Sequence, residues 1–174
     1  MKFRIFVASR SFGKIVDDGL KLLEREAIIE DNPYGRTLTE EELERHLQDA
    51  DAVVLGADKC TGKVLSSAQK LKVIGRHGIG VDNVDLKVAT DRGVIVTYTP
   101  SVNVDSVVEH TFGLILALVR KIPAASASTK AGKWEGLRFV GTELVGKTIG
   151  IIGLGNIGLG VAKRAKAFGM RVLY

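Results

Sequence analysis

Six residues, Gly153-Leu154-Gly155-Asn156-Ile157-Gly158, have the types and the spacing to hold a phosphate anion. Gly153 allows a tight turn, Gly155 lets the backbone approach a pyrophosphate, and Gly158 lets a helix pack close to the strand before it. Free N–H groups in the first helical turn then face the anion. An apolar run from Thr148 to Ile152 leads into the glycines, a helix-like segment follows, and a second apolar run spans Arg171 to Tyr174. That strand–turn–helix–strand context favours dinucleotide binding over a merely structural glycine turn. Folds of this kind place an Asp or Glu about 20 residues on, against the ribose hydroxyls. The sequence reaches Tyr174 without one.

A second glycine cluster, Arg76-His77-Gly78-Ile79-Gly80-Val81-Asp82-Asn83-Val84-Asp85, follows an apolar run. At the C-terminal edge of a parallel sheet, the Gly78-Ile79-Gly80 backbone can point its N–H groups into a cleft and hold a carboxylate. An equally good reading is a tight turn with Asp85 capping the next helix, and spacing does not choose between them. His46 falls in a polar helix and is expected in solvent. His77 lies inside the glycine turn, where it can border a cleft. His110 follows Glu109, but adjacent helical residues diverge and cannot pair as base and orienter. No Ser/His/Asp arrangement and no metal-binding pattern is visible. Cys60, beside Lys59, reads as a buried bystander rather than a reactive thiol.

These residues need a frame to position them. Strands are expected at Lys2–Ala8, Ala27–Glu30, Asp51–Gly56, Lys72–Arg76 and Val94–Tyr98. Helices are expected at about Gly13–Glu24, from the Thr39-Glu40-Glu41-Glu42 capping box to about Gln48, over Val64–Lys70, and near Asp85–Asp91. Five strands alternating with helices imply a doubly wound parallel α/β sheet. Pro100 breaks the pattern. The apolar helix 102–121 follows, with Val104, Val107, Val108, Phe112, Ile115 and Leu116 on one face and Leu114, Leu118 and Val119 widening it. A helix this apolar is expected to be buried, in a core or at a subunit interface. Pro123 is expected to end it, and residues 124–142 are expected to be irregular. The boundary between two units falls near Thr99-Pro100-Ser101.

The 174 residues suit one large or two small domains. A net charge of +5 and a pI near 9.4 could suit a polyanion binder. Lys and Arg alternate with acids, however, without a basic run or interleaved aromatics, so neither nucleic acid nor membrane is an expected partner. The longest apolar run, Phe112 to Val119, is far short of the ~20 residues that span a bilayer. One cysteine allows no disulfide framework and fits a reducing, cytoplasmic setting.

Three segments together resemble the D-isomer-specific 2-hydroxyacid dehydrogenases, in particular their phosphoglycerate dehydrogenase-like branch. They are RHGIGVDNVDL (76–86), TPSVNVDSVVEHTFGLILALVR (99–120) and VGKTIGIIGLGNIG through FGMRVLY (145–174). The resemblance implies that 1–99 is the N-terminal part of a flavodoxin-like substrate domain. Residues 100–174 would be a linking helix and the start of a Rossmann NAD-binding domain. It implies that Gly78, Ile79 and Gly80 clamp the carboxylate of a small 2-hydroxy or 2-oxo acid, 3-phosphoglycerate among the candidates. Gly153, Leu154, Gly155, Asn156, Ile157 and Gly158 would cradle NAD, with NADP still open. A homodimer through residues 102–142 is implied as well. The family's catalytic Arg, Glu and His match no residue of 1–174. The sequence therefore reads as an N-terminal part, inactive by itself. An alternative is a non-catalytic dimerisation or regulatory module of the same descent. A signalling receiver fold fits poorly, because Ser9-Arg10 stand where an acidic pair is needed and Thr99-Pro100 where a Lys is needed.

Overall fold

In a computed structural model describing residues 2–174, the chain forms two compact units, the first ending at Pro100 and the second spanning Ser101–Tyr174. The first unit holds β1 (Phe3–Val7), α1 (Asp18–Glu26), β2 (Ala27–Asp31), α2 (Glu40–Leu47) and β3 (Ala52–Leu55). It continues through α3 (Gly62–Ser67), β4 (Val73–Arg76), α4 (Leu86–Asp91) and β5 (Ile95–Tyr98). All neighbouring strands are parallel, in the order β2-β1-β3-β4-β5. This is the flavodoxin-like doubly wound arrangement, whose ligand crevice lies beyond the C-terminal strand ends.

Register explains the packing. Phe6, Val53, Ile74 and Val96 lie side by side across four strands. They point to one face, where Leu43 and Leu47 of α2, Val64 and Leu65 of α3, and Ala89 of α4 complete a core. One residue earlier in each strand, Ile5, Ala52, Val73 and Ile95 form the opposite row. A one-residue slip would exchange the two rows, so burial fixes the register. Leu22 and Leu23 of α1 lie on that second face, along an apolar groove with Phe3 and Ile5.

Helix starts follow local chemistry. Thr39 Oγ1 accepts from Glu42 N at 3.2 Å, and Thr39 N donates to Glu42 Oε2 at 2.9 Å, the reciprocal capping box that opens α2. The expected helix at Gly13–Glu24 is corrected, because α1 begins only at Asp18. Gly13 takes φ +71, a left-handed conformation that belongs to a turn and not to a helix. The stretch before α3 also differs: that helix covers Gly62–Ser67 rather than Val64–Lys70.

The second unit holds α5 (Val104–Val119), α6 (Ile122–Lys130), β6 (Thr148–Gly150), α7 (Asn156–Ala167) and β7 (Arg171–Leu173), plus a 3-10 turn at Gly136–Phe139. β6 and β7 pair in parallel around α7, a single βαβ step. Val108 and Phe112 of α5 pack with Val161 and Ala165 of α7, and the Phe112 and Phe168 rings stack at 5.1 Å. Two expectations are corrected here. Pro123 does not end the long helix. Lys121, at φ +55, turns the chain, and Pro123 then sits in the first turn of α6, where its missing N–H costs nothing. Residues 124–142 are accordingly not irregular throughout. In the single chain, α5 buries Val108 and Phe112 and leaves Leu114 and Leu118 59% and 78% exposed. No single helix among the described residues is long and apolar enough to cross a membrane.

Candidate functional site

The ends of β1, β3 and β4 converge on a cleft of ≈ 380 Å³ lined by Ser9, Arg10, Thr37, Asp58, Arg76 and His77, among others. The backbone holds its walls. Ala8 N and Ser9 N both donate to Val54 O, and His77 N donates to Leu55 O at 2.9 Å. Ser9 and Asp58 are the buried polar side chains of this unit. Ser9 Oγ and His77 Nδ1 are 2.8 Å apart, and Phe12 meets the same ring edge-on. Asp58 Oδ1 accepts from Leu38 N at 2.7 Å.

Asn83 ties two loops together beneath the cleft. Its Nδ2 donates to Gly56 O at 3.0 Å and Asp58 O at 2.7 Å, while its Oδ1 accepts from Arg76 Nε at 3.1 Å. Cys60 N donates to Asn83 O, and Asp85 N donates to Cys60 O. Arg76 Nη1 also reaches His77 O at 2.6 Å, so this guanidinium is committed to the turn. It lies against Gly78, where a Cβ would stand 2.5 Å from Nη1.

The turn itself carries the Asp85 helix cap read in the sequence. Asp85 Oδ1 accepts from Val88 N at 3.0 Å and caps α4. Gly78 O accepts from both Thr99 N and Thr99 Oγ1 at 3.0 Å. The N–H groups of Ile79 and Gly80 donate to no other described residue. The turn is capped, and the Ile79 and Gly80 amides are left without a partner.

Of the histidines, only His77 borders this cleft. His46 is corrected: its side chain is 15% exposed, stacks on Phe6 at 4.5 Å and places Nδ1 2.6 Å from Glu30 Oε1. His110 is exposed on α5. Cys60 is buried, and that burial, with the Asp85 carboxylate adding to it, pushes the thiol up to about 12. Such a thiol is inert at neutral pH. No group of three His, Cys, Asp or Glu among the described residues is placed to hold a metal ion.

In the second unit, Gly153 takes φ +91 and turns the chain out of β6. Gly155 is the N-cap of α7, and a Cβ added there would meet open space. Leu159 N is the first amide to bond back, to Gly155 O at 2.8 Å. The amides of Asn156, Ile157 and Gly158 are left free at the helix start. Gly158 has the sharpest steric demand, because a Cβ there would collide with Gly153 O and crowd Ile151 Cγ2. Asn156 Nδ2 donates to Ser101 Oγ at 3.3 Å. Donors converging at an uncapped helix N-terminus, with room at Gly155, fit a diphosphate.

Asp58, Asn83 and Gly160 carry structure here that the sequence pattern did not single out. Asp58 stands three residues past the end of β3, the position where such sheets place ligand contacts. That placement was the available signal.

The first unit is thus a flavodoxin-like α/β fold with a polar crevice, and the second opens as a dinucleotide-type βαβ step. The model of the "D-isomer specific 2-hydroxyacid dehydrogenase, catalytic domain" matches residues 7–167, and the chain belongs to that family. It is 49% identical over 158 residues to D-3-phosphoglycerate dehydrogenase of Methanocaldococcus jannaschii, covering 90% of this chain and 30% of that protein. Its likeness to the Bacillus subtilis D-3-phosphoglycerate dehydrogenase is 43% over 170 residues, 98% of this chain and 31% of that one. Among solved structures, a protein from Thermus thermophilus superposes with TM-score 0.85 at 35% identity, over 98% of this chain and 55% of that chain. The chain thus spans about 30% of the length of the curated relatives it matches.

Proposed function

We propose that this chain supplies the carboxylate clamp and the pyrophosphate cradle of an NAD(H)-dependent 2-hydroxyacid dehydrogenase. In this reading, residues 1–99 are the N-terminal part of the substrate domain. Residues 100–174 are the linking helix and the start of the cofactor domain. The observation that carries it is the set of free amides at Asn156, Ile157 and Gly158, beside the open space at Gly155. Bound there, NAD would accept a hydride from C2 of a 2-hydroxy acid while the hydroxyl proton leaves to a base. The chain's own part is binding. Leu154 through Gly158 hold the diphosphate, and the free Ile79 and Gly80 amides, at the turn braced by Arg76 and Asn83, hold the substrate carboxylate. No residue of 1–174 is assigned the proton, so turnover by these residues alone is not expected.

The two curated relatives described above are named D-3-phosphoglycerate dehydrogenase, which makes 3-phosphoglycerate one substrate to test. A homodimer through 102–142 is part of the reading, supported by the exposure of Leu118, Trp134 (94%) and Leu137 (92%) on one stretch of chain. The single buried cysteine suits the cytoplasm.

Isothermal titration with NAD tests the cradle. Measurable binding by the chain, lost on Gly155→Val, is the expected result. Binding that survives Gly155→Val overturns the assignment of the cradle.

A further inference from the structure

Ser101 takes φ +62, the left-handed region that a residue with a Cβ enters only at a cost. It stands directly after Pro100, at the boundary between the two compact units of the chain. Its side chain is engaged, because Asn156 Nδ2 donates to Ser101 Oγ at 3.3 Å. Asn156 is the first residue of α7, and its own backbone N–H is one of the free amides of the cradle. On the other side of Pro100, Thr99 is pinned as well. Its N–H and its Oγ1 both donate to Gly78 O, each at 3.0 Å. That carbonyl and the Ile79 N–H belong to one planar trans peptide group. Thr99 therefore fixes the direction in which the Ile79 amide of the clamp points.

The joint between these two anchors is short and stiff. Pro100 locks its own φ, and a residue before proline is confined to extended conformations, so Thr99 has little freedom. The soft position is Ser101, whose backbone has a left-handed well and the ordinary right-handed and extended ones. That is a discrete choice rather than a continuous flex, the kind of element that two distant sites can bias together. Each anchor lies within one unit, Thr99 to Gly78 in the first and Ser101 to Asn156 in the second. Thr99 and Ser101 are both exposed, so core packing does not hold their hydroxyls in place. An anion on the amides of Asn156, Ile157 and Gly158 orders the first turn of α7, and with it the side-chain amide that holds Ser101.

We propose that Thr99 and Ser101 are positioning residues that couple the two sites. A dinucleotide on the cradle orders Asn156, holds Ser101 in its left-handed well and so strengthens carboxylate binding at Ile79 and Gly80. This rests on the carboxylate clamp and on the cradle.

The test is amide NMR titration of the labelled 174-residue chain with NAD, with D-lactate or 3-phosphoglycerate, and with each acid at saturating NAD. NAD should shift the amides of Asn156, Ile157 and Gly158, and the acids those of Ile79 and Gly80. NAD should tighten acid binding about fivefold, and the acid should tighten NAD binding by the same factor, as linkage requires. Ser101→Ala removes the acceptor for Asn156 Nδ2, and Thr99→Val removes the hydroxyl that donates to Gly78 O. Each should bring the factor close to unity, whereas Thr99→Ser keeps the hydroxyl and should keep the factor. The factor is a ratio, so a uniform loss of affinity at either site leaves it unchanged. If the two ligands bind independently in the parent, or if Ser101→Ala and Thr99→Val keep the factor, the coupling is overturned while clamp and cradle stand. Silence of Ile79 and Gly80 with both acids overturns the clamp, and silence of Asn156, Ile157 and Gly158 with NAD overturns the cradle. Either result takes the coupling with it.

Discussion

Gly158 is the residue at which a single carbon atom matters most. Gly153 O occupies the space its Cβ would need, and that oxygen belongs to a left-handed turn that cannot give way as a flexible side chain would. Gly158→Ala should destabilise the second unit by about 1–3 kcal/mol, as overpacking does in tight interiors. Urea unfolding followed by far-UV circular dichroism measures it; an unchanged midpoint would show that the turn can relax. Gly155→Ala meets nothing and should unfold as the parent does. The roles of Gly153 and Gly158 could be read from spacing alone, because each answers a demand of backbone geometry. Asp58 could not. Its burial depends on Leu38, which is 20 residues away in sequence and brought to it only by the fold.

The contact of α5 with α7 depends on a glycine outside the recognised pattern. A Cβ on Gly160 would come within 2.7 Å of Val108 Cγ2, so the two helices approach where that side chain is missing. Two effects then oppose each other. Alanine gains about 1 kcal/mol over glycine in a helix interior, while crowding a buried valine costs about 1–3 kcal/mol. Gly160→Ala should therefore be destabilising in the parent and stabilising in a Val108→Ala background. A double-mutant cycle by urea denaturation reads the sign change, and equal effects in both backgrounds would sink the account. At this scale the period-2 strands were legible, since burial on one face writes itself into alternation. The 119–124 region was not. A Pro reads equally as a stop or a start, and the left-handed Lys121 that decides between them leaves no mark in composition.

Across the whole molecule, charge couples stability to pH. The Arg36 guanidinium, 2.6 Å from Glu42 Oε1, and then the Thr39 amide hold the Glu42 carboxyl down at about 2, against an ordinary 4.5. Glu41, Asp49 and Glu135 are also lowered, chiefly by hydrogen bonds: at a backbone N–H of its own, at Lys70 and at Ser128, respectively. Each depressed carboxyl contributes stability that is fully present above its unfolded value and lost as pH falls toward its folded one. For Glu42 that window runs from about 4.5 down to about 2. Arg36→Gln should lower stability near neutrality and leave a shallower loss between about pH 5 and pH 3. Parallel urea titrations check this, and identical slopes for parent and variant would remove the Arg36–Glu42 pair as a cause. Charge and hydropathy patterning made the doubly wound sheet and the βαβ step readable, because both follow from runs of residues. The crevice chemistry was less so, because it is made where the ends of three strands meet. Asn83 adds a consequence that would be seen in time rather than in energy. Its side chain fastens the loop at Gly56–Asp58 to the turn at Arg76, and the backbone bonds of Cys60 to Asn83 and of Asp85 to Cys60 run through the same junction. The amide protons of Cys60 and Asp85, far apart in sequence, should therefore trade with deuterium at a common rate, as one opening event. Asn83→Ala should quicken both together while the interior of β3 keeps its own slower clock.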